Sequence, residues 1–161
     1  MKRLTLGALT LAAVAAASPV SAQQPAAQQK QADTMPMVRE KLRADKKLLV
    51  ADNVPMTEAE AKGFWLVYDA YQKDMAGLND RTIKVINDYA ASYQTMTDET
   101  ADRLLKESVA IDGDRATLAK AYMPKFGAVL SAKKVARYYQ IENKIRAVIN
   151  YDLAANIPLV K

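Results

Sequence analysis

This 161-residue chain contains no His and no Cys, so its reactive side chains are carboxylates, tyrosines, methionines and basic groups. Without His it lacks the commonest general base, the usual transition-metal ligand and a switch near neutral pH. Without Cys it has no thiolate nucleophile, disulfide, structural zinc site or thioether-linked haem. The remaining clusters are thin. Asp98, Glu99 and Asp102 suggest a metal site, but they fall in the first turn of an expected helix, where the positive end of the dipole accounts for them. Asp112-Gly113-Asp114 lacks the ligand ladder of a calcium loop. Met35-Pro36-Met37 offers two soft thioethers, which make a poor copper(I) site without further ligands. The eight Tyr lie mostly on expected core faces and read as amphipathic packing residues. No phosphate-binding loop or nucleophile elbow occurs. The census therefore assigns no catalytic residue, no metal ligand and no cofactor, and the expectation is a protein that is not an enzyme.

The basic groups are more suggestive. Residues 56–114 hold six basic and twelve acidic side chains, whereas residues 115–161 hold nine basic and two acidic. In the last expected helix Lys133, Arg137 and Lys144 fall within about 40° of one another, opposite the apolar side. Such a ridge keeps a surface solvated, or it attracts acidic protein clients or an anionic lipid head group.

The elements that carry these groups begin with a targeting layout. Met1-Lys2-Arg3 is a short basic start, residues 4–17 form an apolar run, and Val20-Ser21-Ala22 supplies small residues where a signal peptidase reads. This predicts a secretory signal over residues 1–22, cleaved between Ala22 and Gln23. The run is too short to span ~30 Å of hydrocarbon, so no stable membrane anchor is expected after processing. No Cys follows it to carry a lipid, and a single Arg argues against a twin-arginine signal. Removing residues 1–22, with Lys2 and Arg3, would leave 139 residues and lower the net charge from +5 to +3. The expected location is periplasmic or secreted, where nucleic acid is not an expected partner.

Residues 23–33 contain no large apolar side chain and are expected to be a disordered leader. Residues 34–161 are expected to form a single all-α domain. A first helix is expected from about Pro36 to Asp52, with Val38, Leu42 and Leu49 on one face. The second has the clearest start, because Thr57 followed by Glu60 makes a capping box. From there Ala61, Phe64, Tyr68, Tyr71, Met75, Leu78, Thr82, Val85 and Tyr89 recur in steps of three and four, a seam that needs a partner helix of similar length. The third starts after Thr97, presents Ala101, Leu104, Leu105, Ile111, Leu118, Tyr122, Phe126 and Val129, and meets a kink-forming Pro124. Ser131 caps a fourth, from about Ala132 to Ala155, with Val135, Tyr138, Ile141, Ile145, Val148 and Ile149 on its apolar side. No segment alternates with period two long enough to be a strand. The expected architecture is a long antiparallel helical hairpin with flanking N- and C-terminal helices, bundle-like. Arg115 and Glu142 fall on core faces, and charges there require partners, so they are expected to pair with each other, with Asp112 and Arg146 as competing local partners.

Met56-Thr57-Glu58-Ala59-Glu60 and Leu130-Ser131-Ala132-Lys133-Lys134 each read as a hydrophobic residue, a hydroxyl cap, two residues and a polar side chain. At the starts of two long helices behind a signal sequence, they resemble degenerate LTxxQ motifs of the Spy and CpxP family of small periplasmic helical proteins. Glu60 and Lys134 stand where that motif has Gln. The chain also resembles, more closely, a group of uncharacterised exported bacterial helical proteins, through Phe64-Trp65, Tyr68-Asp69, Tyr71, residues 133–138 and residues 140–144. That second likeness implies a fold and export but no activity. The first implies a thin helical protein, among whose partners a homodimer is counted, that holds unfolded or envelope protein clients without ATP. It also implies two alternatives: a regulatory partner of an envelope protein, and a metal-responsive envelope protein, the latter disfavoured by the absence of His.

Overall fold

The computed structural model describes residues 44–160. The expected signal sequence, the leader, Met35-Pro36-Met37 and the start of the first helix lie outside the described residues. Within 44–160 the protein is all-α, with no strand: α1 (residues 44–53), α2 (Glu58–Ser92), a single 3-10 turn (Tyr93–Thr95), α3 (Asp98–Gly127) and α4 (Ala132–Asn156). α2 has 35 residues, about 52 Å of rod, and reverses into α3 to make the expected hairpin. None of these helices is long and apolar enough to cross a membrane.

Local chemistry sets the helix starts. The Thr57 hydroxyl accepts from the Glu60 amide at 3.3 Å, and the Glu60 carboxylate accepts from the Thr57 amide at 2.8 Å, the reciprocal box expected. Thr97 accepts from the Thr100 amide at 3.2 Å, and Asp98 and Glu99 occupy the first turn of α3. Ser131 stands at the start of α4, but its hydroxyl accepts no capping bond. α3 continues through Pro124 for one further turn, ended by the Ala128 amide donating to the Pro124 carbonyl at 3.0 Å.

The core sits at one end, where four elements converge. Val50 and Val54 from the end of α1 meet Phe64, Tyr68 and Tyr71 of α2, Tyr122 and Phe126 of α3, Leu130 of the connection, and Val135 and Tyr138 of α4. Rings dominate it: Phe126 lies 4.7 Å from Tyr138 between centroids, Tyr71 lies 5.1 Å from Tyr122, and Phe64 crosses Tyr138 edge-on at 5.3 Å. Gly63 lets α2 approach the end of α3, since a Cβ there would stand 2.8 Å from Cγ1 of Val129.

Four expectations about faces are corrected. Leu49 is exposed, and α1 instead meets the core through Val50 and Val54. Leu105 on α3, and Val148 and Ile149 on α4, are exposed as well. Arg115 and Glu142 do not pair. Glu142 accepts from Lys46 of α1 at 2.8 Å, while Arg115 donates only to neutral groups of α2. The expectation failed because α1 and α2 reach these charges first, from sequence distances that helix periodicity does not encode.

Candidate functional site

Two polar assemblies and one surface compete for the role of functional site. The first assembly lies against the aromatic core. Glu142 of α4 takes Lys46 Nζ on Oε2 at 2.8 Å and Gln72 Nε2 on Oε1 at 3.1 Å. Lys46 also donates to Gln72 Oε1 at 2.9 Å, and Gln72 Nε2 reaches the Tyr138 hydroxyl at 3.3 Å. Burial pushes the Tyr138 phenol far above the ordinary tyrosine range, and the Glu142 charge pushes it further. The same two causes raise Tyr68 and Tyr71, and bring Tyr139 to about 12. These phenols stay neutral across physiological pH, so they are neither bases nor nucleophiles. The network joins α1, α2 and α4 through Lys46, Gln72, Tyr138 and Glu142.

The second assembly lies on the outer side of the α2–α3 hairpin. Arg81 donates to Glu107 at 2.8 Å and to Asp114 at 2.6 Å, and Asp88 takes Lys84 at 2.9 Å and Arg103 at 3.3 Å. Lys106 pairs with Asp102 at 2.7 Å. Arg81, Lys84, Asp88, Asp102, Arg103, Lys106 and Glu107 line a shallow depression, and each of these charges is ion-paired. Asp102 and Asp114, weighed from sequence as ligand candidates, are thus ion-pair partners of basic side chains. Among the described residues no three His, Cys, Asp or Glu side chains converge on a point that could hold a metal.

The surface is the far half of α3 and α4. Ile149 lies about 20° around α4 from the fully buried Tyr138, yet it is 52% exposed. Val148 is 62% exposed, Tyr151 75%, and on α3 Leu105 is 64% exposed, with Val109 also open. Arg115, Lys144 and Arg146 sit among them without an ion pair to any described residue, and Arg146 donates only to Asn143 Oδ1 at 2.7 Å. Exposed branched aliphatic side chains beside unpaired cations form a surface that can hold apolar, acidic material reversibly.

The three residues of the expected ridge, Lys133, Arg137 and Lys144, are all exposed. They differ in what they do. Arg137 Nε donates to the Asn53 carbonyl and so caps the end of α1, a structural duty. Lys133 and Lys144 make no ion pair among the described residues, and Lys144 belongs to the far surface. Sequence reasoning placed Leu105, Val148 and Ile149 in the core and treated Arg146 only as a local partner for Glu142. The signal for the surface was present in the run from Lys144 to Ile149, where cations and branched aliphatics are interleaved with no acid. No family model, curated protein or solved structure matches this chain.

Proposed function

We propose that the protein is an ATP-independent, chaperone-like client-binding protein of the periplasm or the secreted fraction. One observation carries the reading: beyond the core α3 and α4 carry Leu105, Val109, Val148, Ile149 and Tyr151, all half or more exposed, on the same stretches of helix as Lys144 and Arg146, unpaired among the described residues. A stable monomer has no need of such a patch, and patches of this kind mark interaction sites. Long-range attraction captures acidic, partly unfolded chains, apolar contact retains them, and the modest area of a helix surface permits release without a nucleotide cycle. The likeness to LTxxQ-motif proteins and the signal-like residues 1–22 point the same way. Enzymatic activity is not part of the proposal, since the two polar assemblies are internally satisfied.

The test is aggregation suppression. The purified protein should slow light scattering from an unfolding acidic protein without ATP, and raising salt from about 0.05 to 0.5 M should slow capture as the screening length shrinks to several Å. Replacing Lys133 and Lys144 with Gln should imitate high salt with helix content unchanged. No suppression by the wild-type protein refutes client holding and puts the regulatory-partner reading ahead.

A further inference from the structure

α1 is tied to the bundle by two valines and a set of charges. Of residues 46–54 only Val50 and Val54 are buried, while Leu48 and Leu49 face outward. Lys46 Nζ reaches Glu142 of α4 at 2.8 Å and Gln72 of α2 at 2.9 Å. Lys47 Nζ pairs with Asp69 at 3.0 Å and stands 5.0 Å from the centre of the Trp65 ring and 5.9 Å from that of Tyr68. Arg137 of α4 donates to the Asn53 carbonyl. The ten described residues of α1 are too few to stay helical alone in water, so docking is what keeps them helical.

The other three helices hold one another without α1. Eight of the ten residues of the buried core, the six rings with Leu130 and Val135, come from α2, α3, α4 and their connection. Lys134 pairs with Glu60 at 2.7 Å, the Tyr122 hydroxyl donates to Asp74 at 2.6 Å, and the Tyr139 hydroxyl donates to the Ala119 carbonyl at 2.9 Å. Departure of α1 would also strand no buried charge, the usual penalty for breaking such pairs. Glu142 Oε1 keeps the Gln72 amide at 3.1 Å, Asp69 and Arg137 are exposed, and both lysines pass into water. Pro55 sets the direction of movement. It holds Val54 away from helical backbone, so α1 swings about residues 54–57 and does not merge into α2.

We propose that residues 46–54 form a salt-sensitive strap, which undocks as one unit while α2, α3 and α4 stay folded. Undocking uncovers a groove walled by Trp65 and Tyr68 of α2 and Tyr138 of α4, with Asp69 and Glu142 on its rim. Salt loosens the strap because Lys47 and Asp69 meet at an exposed site, where screening is effective.

Amide hydrogen exchange of the purified full chain, followed by mass spectrometry across a urea series, tests this. Peptides over residues 46–54 should exchange through an opening with little urea dependence, since little surface is uncovered. Peptides around Phe126 should exchange through global unfolding, with a steep dependence. Raising salt from about 0.05 to 0.5 M should speed exchange over residues 46–54 about threefold. Leu104→Ala is the deciding variant, because Leu104 is buried at the far end of the α2–α3 hairpin and its loss weakens the docked and undocked forms alike. The Phe126 peptides should then exchange about thirtyfold faster or more, while residues 46–54 keep their wild-type rate. Equal acceleration of both overturns the strap, because α1 then opens only with the whole bundle. So does a urea dependence over residues 46–54 as steep as around Phe126 in the wild-type chain, a reading that needs no variant. An unchanged rate between the two salts overturns its salt sensitivity. None of these readouts involves aggregation suppression, so the strap and client holding can fail separately.

Discussion

The two ends of this bundle are built from the same helices on opposite terms. At the end where α1, α2, α3 and α4 converge, six aromatic rings and four aliphatic side chains interlock, and the charged groups nearby are matched by opposite charges. At the far end α2 and α3 still pack through Leu104 and Ile111, but α4 leaves Val148, Ile149 and Tyr151 in the open and Lys144 and Arg146 without an ion pair among the described residues. Helix amphipathicity is the same in both; the difference is whether a partner surface arrives. The first end holds the fold, and the second leaves Leu105, Val109, Val148, Ile149 and Tyr151 exposed.

The comparison breaks most directly at Phe126. Its ring is fully buried and meets Phe64, Tyr71, Tyr122, Tyr138 and Tyr139. Phe126→Ala should cost ~3–5 kcal/mol in urea unfolding, from lost transfer energy and the cavity left behind. Leu105→Ala, on the same helix at the other end, should stay within about 0.5 kcal/mol. Comparable losses at both sites would mean that the far end is a second core and not a binding surface.

The next effect sharpens what closes the converging end. Glu142→Gln removes the counter-charge from Lys46, whose side chain is only 22% exposed, and should destabilise by ~2 kcal/mol, less than for a fully buried pair. Adding Lys46→Met should recover part of the loss, because a flexible apolar side chain then replaces an uncompensated ammonium. Additive losses in the double variant would show that the two groups act independently, despite 2.8 Å between them.

How much of this was legible from residues alone follows the same division. The α2 seam from Ala61 to Tyr89 is buried or half-buried along its whole length, since its three- and four-residue steps were matched by an equally long α3. The Thr57–Glu60 box was legible because its chemistry is local. Ile149 was not, because periodicity locates a face without revealing whether anything covers it, and Ile149 shares the face of Tyr138. Glu142 was placed correctly on a core face with the wrong partner, as Lys46 lies 96 positions away. Arg115 was expected to need an acid, but α2 offered Met75, Asn79 and Thr82, neutral side chains that satisfy its hydrogens without cancelling its charge. That residual charge is the feature a sequence pattern could not anticipate.

The smallest effects separate close packing from open surface within α2 itself. Gly63 and Gly77 are both helical, and each costs about 0.5–1 kcal/mol relative to Ala through backbone entropy. Around Gly77 nothing lies within 4 Å of an added Cβ, so Gly77→Ala should stabilise by about that amount. At Gly63 the added methyl would stand 2.8 Å from Val129 Cγ1, a β-branched side chain with few rotamers to escape into. The clash should outweigh the entropic gain, so Gly63→Ala should lower stability by ~1 kcal/mol. Pairing it with Val129→Ala removes the obstructing methyl groups and should return most of that loss. If Gly63→Ala instead stabilises as much as Gly77→Ala, then α2 and the end of α3 are not in the close contact that seals the aromatic end, and the contrast between the two ends loses its structural basis.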